Sequence, residues 1–158
     1  MTARQTLRQG LEKYYQANPT FIRGSDFKLG WLTFPWRDLE RHDAMHVVTG
    51  YSTNLDEEMR LIGFLLTSIT WRRPWYYYLQ SIGTAIEIIW RACWGRAVGT
   101  ETERYSPLEL LQLYLAGVKQ GMTVCETIDA YIDLSMVMDR DLDSIRETYG
   151  IENAGAWD

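Results

Sequence analysis

The sequence predicts an all-α fold, a single-domain bundle of about six or seven helices over residues 1–158. Three observations carry this. Apolar residues recur at three- and four-residue intervals through most of the chain, the spacing of one helical face. No segment shows sustained two-residue alternation, the mark of a half-buried strand. Helix starts and stops are marked at several points by Ser, Pro and Gly.

Leu7, Leu11, Tyr14 and Tyr15 share one helical face, and Asn18-Pro19 ends that first helix because the residue before a proline is pushed out of the α region. Residues 19–30 carry Gly24, Ser25, Asp26 and Gly30 without a period and read as a loop. Pro35 suits the first turn of a second helix that runs to about Thr49, with Gly50 as a left-handed stop. Thr53 or Asn54 can cap the third helix, whose first turn holds Asp56, Glu57 and Glu58, where the helix dipole favours acids. Its apolar residues, Met59 to Ile69, cover most of its circumference and predict burial.

Arg72-Arg73-Pro74 breaks that helix, and a long one follows from Trp75 to about Val98. Gln80, Glu87 and Arg91 sit in its middle, which makes a core helix a better reading than a membrane span. Trp75 to Tyr78 would suit a membrane surface. Ser106-Pro107-Leu108-Glu109 is a capping box with proline at the first position, and Gly121 ends or interrupts the helix it starts. A short helical piece is expected around Cys125 to Tyr131. The last helix runs from about Arg140 to Tyr149, with Gly150 as its cap and Ile151 as the apolar residue beyond it; Glu152 to Asp158 reads as a polar tail.

Composition narrows the function classes. Hydrophobic residues make up 46% and charged residues 23%, as in ordinary globular chains and not in disordered ones. A net charge of −5 argues against a nucleic-acid surface. Seven Trp and ten Tyr are many; such rings line lipid pockets and membrane interfaces, and also fill cores. Trp90, Trp94 and Tyr114 stand at helical spacing and read first as core. Cys93 and Cys125 read as reduced core thiols in a cytosol-like compartment. The first fifteen residues hold no apolar run and so no secretory signal.

The chemistry gathers in Arg41-His42-Asp43-Ala44-Met45-His46. The chain's two histidines both lie here, four positions apart. At ~100° per residue, Asp43 falls ~100° and His46 ~40° from His42, so all three can face one point. Were the second and third helices to pack as an antiparallel hairpin around Gly50, Glu58 would come level with the histidines. Two imidazoles and a carboxylate hold a divalent metal and leave coordination positions open, as catalytic sites do. Asp43 is either a fourth ligand or the acceptor for a ring N–H of a histidine. A single histidine on such a helix would be an ordinary core residue; this pair, with Asp43 between and Glu58 beyond, favours a metal. Several families are excluded. Asp43 is a methylene too short for the zincin base, the two Glu-x-x-His motifs of a di-iron site are absent, and no further upstream histidine serves a phosphohydrolase.

These residues resemble the fourth protein of the coenzyme Q (ubiquinone) biosynthesis set, the Coq-four family. Its signature is His-Asp-x-x-His, eleven residues, then Glu, and it reads here as His42, Asp43, His46 and Glu58. Val47-Val48-Thr49-Gly50-Tyr51 is similar to the stretch that follows the family motif. Leu142, Ile145, Arg146, Tyr149, Gly150 and Ile151 are similar to its closing helix. The likeness covers about residues 36–151; the N-terminal part is shortened or divergent, and Glu57 stands where the family often has Gly. The resemblance implies that His42, Asp43, His46 and Glu58 gather a divalent metal ion beside a channel for a polyprenylated aromatic or other isoprenoid lipid. Zinc suits the donor set first, with iron, manganese or magnesium as alternatives. The implied activity is decarboxylation of a polyprenylated hydroxybenzoate with hydroxylation at the same carbon. Implied too are peripheral membrane contact, other quinone-biosynthesis enzymes as partners and a homodimer. The expected place is the cytoplasm, at the inner membrane face (the matrix side in a mitochondrion). The competing expectation is a non-catalytic lipid-binding scaffold for such an enzyme complex.

Overall fold

The computed structural model describes residues 4–21, 23–30, 32–70, 78–94, 105–129 and 132–157. Six α-helices and two short two-stranded sheets are formed there, so the fold is all-α in class. The chain divides into two compact units, residues 1–52 with 131–158, and residues 53–130.

In the first unit, α1 (Leu7–Ala17) starts at a full capping box: the Thr6 hydroxyl accepts from the Gln9 amide, and the Gln9 side chain accepts from the Thr6 amide. Leu7, Leu11 and Tyr14 form its buried face, and it packs on α2 (Trp36–Thr49). Before α2 the expected loop contains a strand: β1 (Phe27–Leu29) and β2 (Leu32–Phe34) form an antiparallel hairpin around Gly30. Three residues are too few to register as a period. Pro35 stands just outside α2 and offers no side-chain cap; Asp26, brought up by the hairpin, accepts from the Trp36 amide at 3.0 Å instead. Gly50 ends α2 at φ 72°, where other residues are strained.

α6 (Leu142–Tyr149) also packs on α2. It ends as its sequence predicts, with Gly150 left-handed and the Ile151 amide donating to Arg146 O at 2.9 Å. Arg146 is buried, which its charge did not suggest. Its Nε donates to Val48 O at 2.9 Å and its Nη2 to Val47 O at 3.1 Å, satisfying carbonyls in the last turn of α2. The polar tail expected after Gly150 is corrected: Trp157 is buried, and the Ala154 and Ala156 amides each donate at 2.9 Å, to Thr49 O and Gly50 O.

In the second unit, α3 (Leu55–Ser68) packs chiefly on α5 (Pro107–Gly121), with α4 (Tyr78–Cys93) against both. α5 starts at the predicted box, Ser106 with Glu109. α3 and α5 approach closely through glycine: a Cβ at Gly117 would strike the Arg60 carbonyl, and one at Gly63 the Tyr114 carbonyl. α3 stops at Ser68, and β3 (Ile69–Thr70) pairs in parallel with β4 (Ile128–Asp129). Where a helical piece is expected around Cys125 to Tyr131, the described residues 125–129 form no helix and end in β4, residues 130–131 lying outside the described ones; Cys125 is an exposed thiol, not a core one. The Arg72-Arg73-Pro74 break and Trp75 to Tyr77 lie outside the described residues, as do residues 95–104.

The long α4 corrects a further expectation. Ala85 and Ile88 are buried, whereas Leu79, Ile82, Ile86, Trp90 and Trp94 are exposed. Periodicity identifies an apolar face without saying what it meets. Tyr114 is core, as expected; Trp90 and Trp94 are not. No helix among the described residues is long and apolar enough to cross a membrane.

Candidate metal centre

The last two turns of α2 are buried from Asp43 onward, against α1 and α6. That burial places the histidines differently. His46 is 1% exposed, while His42, one turn earlier, is partly open. Their rings meet edge to face, with centroids 4.8 Å apart at 84°, and their Nε2 atoms face each other at 3.2 Å.

The other nitrogen of His46 determines its tautomer. Nδ1 lies 3.2 Å from the Tyr51 carbonyl oxygen. A carbonyl only accepts, so Nδ1 carries the proton and Nε2 presents a lone pair toward His42. Two nitrogens on one tetrahedral ion, each ~2.0–2.1 Å from it, stand ~3.3–3.4 Å apart. The observed spacing is close to that separation.

Glu58 sits in the first turn of α3, its amide donating to Asn54 O at 2.7 Å. One ligand atom from each of His42, His46 and Glu58 lies within 4.8 Å of the others, and this group could hold a metal ion. Nitrogen and oxygen donors of this kind serve zinc, iron and manganese alike.

Asp43 stands outside that group. It is 5% exposed, and its oxygens are taken by two phenols: Tyr14 Oη donates to Oδ1 at 2.9 Å and Tyr15 Oη to Oδ2 at 3.0 Å. The ring N–H of His46 goes to a backbone carbonyl, not to this carboxylate. Burial pushes the Tyr15 phenol far above its ordinary range, and the Asp43 charge and hydrogen bond add to the rise; Arg23, 3.9 Å over the ring, opposes it.

Tyr14 also touches the histidine pair. Its ring stacks on His46 at 5.5 Å and 29°, and Trp157 meets Tyr14 edge to face at 5.0 Å. Trp157 Nε1 donates to the Tyr51 carbonyl at 2.6 Å, the oxygen that also takes His46. His46 is thus held by the Tyr14 ring and the Tyr51 carbonyl, and Trp157 contacts both of these partners; the motif identifies none of the three. Only the adjacent aromatics Tyr14 and Tyr15, on the face predicted to be buried, gave a local sign.

The fold and the group define a class: an all-α protein with a two-histidine, one-carboxylate group that could hold a metal ion, its histidines in the C-terminal half of α2. Comparison with protein-family models, curated proteins and solved structures finds no match to the chain.

Proposed function

We propose that this chain is a metal-dependent enzyme of quinone biosynthesis that removes the ring carboxylate of a polyprenylated hydroxybenzoate, with hydroxylation at the same carbon. The observation that carries the reading is the gathering of His42, His46 and Glu58, the three outer members of the motif by which the chain resembles the Coq-four family. In this reading Nε2 of His42, Nε2 of His46 and the Glu58 carboxylate hold the ion. A bound ion would supply a Lewis acid for a phenolate or carboxylate oxygen of the ring. The net change releases the carboxylate as CO2 and leaves C–OH at that carbon, a two-electron oxidation that balances with dioxygen and water as co-reactants (ArCO2H + H2O + O2 to ArOH + CO2 + H2O2). The residues behind the ligands govern protonation and solvent access. The Tyr51 carbonyl keeps the proton of His46 on Nδ1, and the Tyr14 ring, backed by Trp157, covers its buried side. Zinc is the first choice of metal, and a redox-active iron would suit the oxidative step better.

The test begins with elemental analysis of protein purified without a histidine tag. The metal-loaded protein is then given prenylated hydroxybenzoates, beside His46→Ala. Ring-modified product from the wild type, lost in the folded variant, is the expected result; no product from any such acid sinks the enzymatic reading. One observation favours a second reading. The exposed apolar row of Leu79, Ile82, Ile86 and Trp90 on α4, with Trp94 just beyond its end, suits a lipid-binding scaffold lying peripherally on a membrane and presenting intermediates to partner enzymes. Vesicle binding that depends on the metal, with no turnover, would support that reading instead.

A further inference from the structure

The chain beyond α6 has a role that the ligand set does not explain. From Ile151 it runs back along the C-terminal end of α2, held by the Ala154 and Ala156 amides on Thr49 O and Gly50 O. Helix α2 ends with carbonyls that lack intrahelical partners, and this segment supplies donors there. It delivers the indole of Trp157, 8% exposed, to the Tyr51 carbonyl. Gln5 Nε2 fixes the end of the segment by donating to Trp157 O at 2.9 Å.

Tyr51 O therefore receives two donors, the Trp157 indole N–H at 2.6 Å and His46 Nδ1 at 3.2 Å. A peptide oxygen has two lone pairs, and these two donors occupy both. The indole bond is the shorter and holds the peptide plane; the imidazole bond is the longer and depends on where that plane points. The Trp157 ring also presses on Tyr14, whose ring lies over His46. Two faces of His46 thus answer to one side chain.

We propose that Trp157 is a positioning residue for His46: by holding the Tyr51 carbonyl it keeps the imidazole in its Nδ1–H form, with Nε2 aimed at His42. The segment 151–157 is then a clasp that sets the geometry of the ligand pair. Only the affinity part of the test rests on the metal reading above; the tautomer part does not.

The test uses Trp157→Phe, which keeps a ring against Tyr14 and removes the N–H. Imidazole ¹⁵N spectra of the metal-free protein, above the pH at which its histidines titrate, report the tautomer. The wild type should show His46 with the proton on Nδ1, and the variant should move toward the Nε2–H form. Zinc titration by calorimetry should show affinity weaker by about 3- to 10-fold, below the 10- to 100-fold typical for direct partners of a ligand. Gln5→Ala loosens the segment without touching the site and should shift the His46 signal the same way, by less; it carries the test if Trp157→Phe fails to fold. A lower melting temperature with an unmoved His46 signal in both variants would overturn the proposal. If the wild type takes up no metal, the metal reading fails while the tautomer shift still decides this one.

Discussion

Replacing Asp43 separates a residue that binds metal from one that holds the helix bearing the ligands. In Asp43→Ala two hydrogen bonds to a buried carboxylate are lost, from Tyr14 at 2.9 Å and Tyr15 at 3.0 Å. Bonds to a charged group contribute ~1.5–3 kcal/mol each. Tyr14 is 1% exposed and its hydroxyl loses this acceptor; Tyr15 is half-buried, and water can replace part of what it loses. Removing a buried charge returns some desolvation energy. The net expectation is a loss of about 2–4 kcal/mol, out of the 5–15 kcal/mol typical of a domain. That corresponds to a fall in melting temperature of roughly 5–15 °C for a chain of this size. Asp43→Asn keeps one acceptor and should cost about half as much. Thermal unfolding by circular dichroism measures the loss, and zinc titration of the same samples measures affinity. Asp43→Asn should bind zinc within about tenfold of wild type, while His46→Ala should lose more than ~100-fold. An Asp43→Asn protein that melts like wild type and binds zinc as poorly as His46→Ala would refute the reasoning and make Asp43 a ligand.

Three other outcomes follow from the packing and the charges. Arg146→Met removes the donors to Val47 O and Val48 O in the last turn of α2 and should cost about 2–4 kcal/mol by denaturant unfolding; an unchanged midpoint would show that those carbonyls find other partners. Gly117→Ala puts a methyl group against the Arg60 carbonyl, and α3 and α5 must part to admit it, at ~1–3 kcal/mol; a wild-type melting curve would contradict that approach. Tyr15 holds its proton more tightly folded than unfolded, so its contribution is fully present below its unfolded pKa of ~10 and is lost as pH rises through and beyond that value. Wild-type stability should therefore fall more steeply above pH ~10 than that of Tyr15→Phe, and parallel profiles would remove Tyr15 as the cause.

How far the sequence could be read depended on how far apart the interacting residues stand. Ser106 and Glu109 are three positions apart, Gly150 and Ile151 adjacent, and His42 and His46 one helical turn apart; each pattern closes within a few residues and was legible. The hydrogen bonds that hold α2 and the Tyr51 carbonyl join residues 28 to 106 positions apart: Tyr15 with Asp43, Arg146 with Val47, Trp157 with Tyr51. No local spacing marks such pairs. Strands of two or three residues, such as β4 in place of the helix expected around Cys125, are too short to show alternation, and their pairing is decided by a partner 59 positions away, as in Ile69 with Ile128. The outward row on α4 was misplaced for a related reason. Its spacing is the same whether the face meets a core or solvent.

The two imidazoles bear on what a metal would have to do. With the His46 proton held on Nδ1 by Tyr51, its Nε2 can only accept, so in the neutral pair the 3.2 Å contact is made by an N–H on His42 Nε2. A shared ion needs both Nε2 lone pairs. The proton on His42 must therefore shift to its Nδ1, a change of tautomer that frees Nε2, while His46 binds as it stands. The burden of rearrangement falls on the more open residue, where water is at hand to carry the proton, and the buried residue is spared it. A site organised in this way should take up metal by an ordered path: His46 is preformed by the aromatic wall and the returning C-terminal segment, and His42 is the imidazole that adjusts. The Asp43 and Trp157 variants thus probe separate supports of one preformed ligand: Asp43 anchors the Tyr14 ring, and Trp157 anchors the Tyr51 carbonyl. Combined, their effects on zinc affinity should exceed either alone, because each leaves the other's hold on His46 in place.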